Sequence, residues 1–240
     1  KNETQTITES SAALTSPAGL RMLFVCLTTP LEAGQELSDF SQRELARMAG
    51  ISLGSVNRIL DQLEANDFLV RKSSRTWHLI RHRTLVDFWL ANYPIGLRPK
   101  LAPARFSGNL PPNWWDIPNL LPEGTLIGGE VAQWLRFHAV QPATASLFVP
   151  AADRASLISR VVRTFRLKPD PQGNVEVLDR FWKDPKELTS VDTSGMESVM
   201  NMVGLPVVPD LLIGADLMNT PDSRLRPVIE TLLKTLAHDA

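Results

Sequence analysis

Apolar residues in the first hundred positions recur at helical spacing, then briefly at strand spacing. From Pro17 to Thr28 they fall at Leu20, Leu23, Phe24 and Leu27. That is the stripe of an amphipathic helix, and Pro17 suits its first turn, where a missing N–H is not needed. A second stripe, Leu45, Ala46 and Ala49, lies between Ser41 and Gly50. Ser41 with Glu44 three positions on has the form of a capping box, and a glycine tolerates the left-handed turn that ends a helix. A third stripe starts after Ser52 and runs through Leu53, Val56, Ile59, Leu60 and Leu63. The stretch 68–80, FLVRKSSRTWHLI, then reads as strand, basic turn, strand. Thr84–Tyr93 is again an amphipathic helix, placed to pack back on these elements or to form a dimer contact.

Two short helices joined at Gly50, with small Ala46 at their closest approach and a hairpin after them, predict a winged helix-turn-helix over residues 17–93. Gly54, Ser55, Asn57, Arg58, Asp61 and Gln62 fall on the outward side of the second helix. Small, amide and basic side chains at the start of such a helix suit a DNA major groove, where Asn and Arg pair with purine edges. The expected DNA-binding residues are therefore Ser52, Gly54, Ser55, Asn57 and Arg58 on the helix. Arg71, Lys72 and Arg75 are expected at the wing, on phosphates.

Net charge is −1 over 240 residues, which alone argues against a wholly basic nucleic-acid binder. Its distribution changes that picture. From Arg71 to Arg105 there are eight basic residues and one acid, Asp87. Such a run is either a solvated face or a phosphate-facing surface. Cys26 is the only cysteine and lies in an apolar run, so no disulfide framework or thiolate metal site is available within one chain. The four histidines are scattered, and no metal site is expected. No apolar run reaches membrane-spanning length, and the expected compartment is the cytoplasm.

Residues 94–122 carry seven of the 18 prolines. Repeated proline disfavours helix and central strand, so 94–112 is expected to be a semi-rigid linker, with a second domain over 113–240. Trp114 and Trp115, at the linker's end, are expected to pack it onto that domain rather than to stack on bases. Strand patterns at Thr125–Ile127, Ala145–Val149 and Val175–Phe181, and a strand leading into a helix at Val207–Ala215, mix irregularly with helical ones, including a final amphipathic helix in Asp222–Ala240. This mixture predicts an α+β class.

Leu126–Ala132, LIGGEVA, resembles the entry signature of the nucleotidyltransferase fold, in which a strand ends in Gly-Gly and a helix starts. That resemblance implies two metal-binding carboxylates on the next strand. Ser146 and Phe148 stand at those places, so a degenerate domain without metal, cofactor or catalytic residues is expected. Val208–Met218, VPDLLIGADLM, followed by Asp222-Ser223-Arg224 and a last helix, resembles the tail of AbiEi-type antitoxins of type IV toxin–antitoxin systems. The order of parts is similar too: winged helix, then nucleotidyltransferase-like domain. The resemblance implies a DNA-binding antitoxin that represses its own operon at inverted promoter repeats of double-stranded DNA. A nucleotidyltransferase-like toxin would be its functional partner. Two other readings stand beside it, a nucleotidyltransferase with an atypical site and a ligand-sensing winged-helix transcription factor. Oligomeric state is not legible in the sequence.

Overall fold

The computed structural model describes residues 12–73, 76–184 and 206–238, and the chain divides into two units. The first unit contains the described residues up to Leu97 and the returning segment Phe181–Asp184. The second contains Arg98–Arg180 and the described residues from Pro206.

In the first unit the helices are α1 (Ala12–Thr15), α2 (Pro17–Thr28), α3 (Gln42–Ala49), α4 (Leu53–Ala65) and α5 (His82–Asn92). Strands β1 (Leu69–Arg71) and β2 (Trp77–Leu79) pair antiparallel as a short wing. Local chemistry fixes the helix starts. Ser16 Oγ accepts from Gly19 N–H at 3.0 Å, and Ser52 Oγ accepts from Ser55 N–H at 3.1 Å. At α3 the box is reciprocal: Ser41 N–H donates to Glu44 Oε2 at 2.7 Å and Glu44 N–H to Ser41 Oγ at 3.2 Å. The hydrogen bonds from Ser41 hold the Glu44 carboxyl below its ordinary range. A depressed folded value gives stability that is complete above the ordinary glutamate range and fades as pH falls through the folded value. Ser41→Ala should therefore destabilise the first unit by about 1 kcal/mol at neutral pH, read by urea denaturation, with a smaller difference in acid. Gly50, at φ +62°, closes α3 in the left-handed region.

Leu20, Leu23, Leu45, Val56, Leu63 and Trp89 are fully buried in this unit. Leu53 departs from the expected inner stripe: it is 39% exposed. It is the first residue of α4, and the buried stripe begins a turn later at Val56. Helix α5 turns Leu85, Val86, Trp89 and Leu90 inward, and Trp89 Nε1–H donates to Leu20 O at 2.8 Å. It packs back on its own unit. Phe24 lies 5.3 Å from Trp89, 4.9 Å from Phe181 and 4.9 Å from Trp182, ring centre to ring centre. Lys183 N–H donates to Met48 O at 2.9 Å. The first unit is thus not the continuous 17–93 of the sequence expectation. It continues through a π-helical turn, Tyr93–Leu97, and is completed by residues nearly ninety positions later. Burial pushes the Cys26 thiol up to about 12. Ellman's reagent should leave it unmodified in the native protein and react only after denaturation.

The second unit is built on a five-stranded mixed sheet of β3 (Ala104–Ser107), β4 (Leu126–Gly128), β5 (Ala145–Val149), β6 (Lys168–Pro169) and β7 (Val175–Asp179). The strand order is β4-β5-β7-β3-β6. Only β5 and β7 run parallel. Helices α6 (Gly129–Phe137), α7 (Arg154–Phe165), α8 (Asp210–Met218) and α9 (Arg226–His238) complete it. Class and mixture are the expected α+β.

One expectation here fails and a second holds only in part. The segment 94–112 is not a linker, because β3 lies inside it and pairs with β7, Ala104 opposite Val177 and Phe106 opposite Val175. Pro99 and Pro103 precede the strand rather than interrupt it, and a proline removes only its own N–H from a ladder. The run Val207–Ala215, expected as a strand leading into a helix, is mostly the helix. Only Val207 bridges, to Ile127, and Leu211–Ala215 are buried in α8. Pro206 and Pro209 bracket the extended part, and Asp210 opens the helix after Pro209. Trp114 is 4% exposed and packs edge-on against Phe165 at 6.2 Å, as the packing reading of the tryptophan pair expects.

Candidate nucleic-acid interface

The exposed side of α4 carries Gly54, Asn57, Arg58 and Asp61. Ser52 is exposed, but its hydroxyl serves the cap and lies 2.8 Å from Ser55 Oγ. Ser55 is half-buried and, with Arg58, borders a cleft of about 410 Å³ lined also by Ala12, Ala13 and Ser16. The structure thus brings Gly54, Asn57 and Arg58 together on one open surface and sets Ser55 to its edge. A Cβ at Gly54 would meet no atom within 4 Å. The fold itself has no steric need for that glycine.

The wing supplies the other flank. Lys72 is exposed, and its N–H donates to Thr76 O at 2.9 Å. Arg75 lies outside the described residues. Arg71, expected on phosphate, is paired within the chain. Its Nη2 lies 2.5 Å from Asp61 Oδ1 and its Nε lies 2.9 Å from Glu64 Oε2, both on α4. Between α3 and the wing runs an open groove of about 590 Å³, whose lining includes Ser41, Gln42, Arg43, Leu53, Arg71 and Trp77. Gln42 and Arg43 carry no DNA-binding signal of their own in the sequence. Both are exposed in the first turn of α3, and the Ser41 capping box was the signal that placed them at a helix start.

The second unit has its own polar cavity of about 240 Å³. At its floor Arg98 Nε donates to Asp216 Oδ1 at 3.3 Å, and the Arg98 guanidinium also grips Glu176 through Nη1 and Nη2. Arg105 donates to the same Glu176 at 3.2 Å through Nε and through Nη2. Glu176 and Asp216 are 6% and 3% exposed at the side chain. Ser146 sits opposite Glu176 in the β5–β7 register, and Phe148 opposite Leu178. Two glycines precede them. A Cβ on Gly128 would come 2.7 Å from Phe148 Cε2, and Gly129 has φ +58° with its Cβ position 3.0 Å from Ser146 Oγ. The Gly-Gly turn is thus explained by close packing on β5. Asp153 precedes α7 and makes no capping bond, while Asp179 pairs with Arg154 at 3.0 Å. Among the described residues no three His, Cys, Asp or Glu are grouped to hold a metal ion.

A winged helix-turn-helix DNA-binding family model matches residues 38–70, which span α3, α4 and most of β1. A second model, described as the transcriptional regulator, AbiEi antitoxin, of type IV toxin–antitoxin systems, matches residues 78–237, two thirds of the chain. The chain belongs to the AbiEi antitoxin family. It is a DNA-binding transcriptional regulator of the antitoxin class, as the order of its parts implies. No curated protein and no solved structure matches it. No helix among the described residues is long and apolar enough to cross a membrane.

Proposed function

We propose that this AbiEi-family antitoxin represses its own toxin–antitoxin operon in the cytoplasm, by placing α4 in the major groove of inverted repeats in the promoter. The observation that carries this reading is the open α4 surface, where Asn57 and Arg58 stand exposed beside a glycine that the fold does not require. Asn and Arg make paired hydrogen bonds to adenine and guanine edges. Lys72, Gln42 and Arg43 stand on phosphates at either side. The second unit carries the antitoxic activity against a nucleotidyltransferase-like toxin and catalyses no nucleotide transfer. Ser146 and Phe148 supply no carboxylate for a metal-bound triphosphate, and Glu176 and Asp216 are engaged by arginine.

Gly54→Ala separates binding from folding. Alanine is favoured over glycine in a helix by about 0.5–1 kcal/mol, so the variant should be at least as stable as the wild type. Its methyl group projects where the groove wall must approach, so operator affinity should fall by roughly tenfold in a gel-shift titration. Stability raised with affinity unchanged would place the DNA elsewhere than on the first turn of α4.

A further inference from the structure

We infer that Arg71 is a positioning residue that fixes the wing against the recognition helix, rather than a phosphate contact. This rests on the DNA-binding reading above. The wing is small: three residue pairs join β1 to β2, with Leu69 opposite Leu79, Val70 opposite His78 and Arg71 opposite Trp77. Along β1 only Leu69 is buried, and on β2 Trp77, opposite Arg71, is buried as well. Apolar packing thus holds Leu69 and Trp77, while the exposed end of β1, Val70 and Arg71, depends on polar contacts for its direction. Arg71 stands at the last ladder position before the turn, where a small rotation about the root moves the tip furthest.

From there its guanidinium reaches both Asp61 and Glu64 on α4. The two acids lie on neighbouring helical positions, three apart, so one planar fork meets both. One exposed ion pair is worth little, but a fork shared by two acceptors restricts direction as well as distance. The charge balance points the same way. Arg71, Asp61 and Glu64 together carry one net negative charge, which does not recommend the cluster as an anchor for phosphate. Asp61 lies one turn beyond Asn57 and Arg58 on the outward side of α4. Held by Arg71, its carboxylate is kept from the bases and backbone that those two residues face.

The test compares Arg71→Ala with the double variant D61N/E64Q, by operator titration over a range of salt and by hydrogen exchange of the wing amides without DNA. A positioning role predicts that both variants bind roughly five- to tenfold more weakly, with the salt slope of the wild type, and that both exchange wing amides faster. The double variant is decisive, because removing two negative charges near DNA would by itself tighten binding. A salt slope reduced by about one unit in Arg71→Ala, together with tighter binding by D61N/E64Q, would overturn the inference and make Arg71 a phosphate contact. Unaltered binding and exchange in both variants would overturn it as well. Failure of the wild type to prefer the operator would count against the DNA-binding reading instead, and the exchange rates would still decide the clamp.

Discussion

Arg98→Ala is expected to destabilise the second unit by about 3 kcal/mol or more in urea denaturation. The guanidinium bridges Glu176 on β7 and Asp216 on α8, two carboxylates that are almost fully buried. Taking it away leaves Asp216 without that cation and Glu176 with Arg105 alone. Removing a cation from buried carboxylates is far costlier than losing an exposed pair. Arg105→Ala is the internal control. Its side chain is 41% exposed and Glu176 retains Arg98, so about 1 kcal/mol is expected. Equal effects of the two variants would mean that Arg98 is not the centre of the cluster.

The second large effect is expected from the returning segment. Trp182→Ala should destabilise the first unit by about 3–5 kcal/mol, because the ring is 5% exposed and stacks edge-on with Phe24 and Phe181. A fragment ending at Leu97 lacks both rings and should melt well below the same unit in the whole protein. Thermal denaturation followed by near-ultraviolet circular dichroism reads this directly, since Phe24, Trp89, Tyr93, Phe181 and Trp182 share one aromatic cluster. A fragment as stable as the intact unit would show that residues 181–184 are dispensable.

The difference between these two predictions and the DNA-binding surface marks what the sequence makes legible. Helices α2, α3 and α4 could be read because their caps and their apolar stripes are local, as Ser41, Glu44 and Gly50 illustrate. The outward side of α4 followed from the same period. Strand β3 could not be read, because only four residues lie between Pro103 and Gly108 and their partner is seventy positions away on β7. Phe181 and Trp182 carry no period that assigns them to the first unit. Arg71 illustrates a third kind of gap. Its place in a basic hairpin was local, but its pairing with Asp61 and Glu64 depends on how the hairpin folds onto α4. The arginines of the Glu176 cluster were likewise hidden, both in the segment that proline content marked as linker, with Arg105 on the strand β3 inside it.

The central claim is that Asn57 and Arg58 read the operator of this chain's own operon. Gel-shift titration of the upstream region against unrelated duplex of equal length and salt tests it most directly, with Asn57→Ala and Arg58→Ala beside the wild type. The wild type should prefer the upstream region by at least a thousandfold, and each variant should lose about 1–3 kcal/mol of that preference while keeping the wild-type melting temperature. Equal affinity for both duplexes, or full preference retained by both variants, would contradict the account.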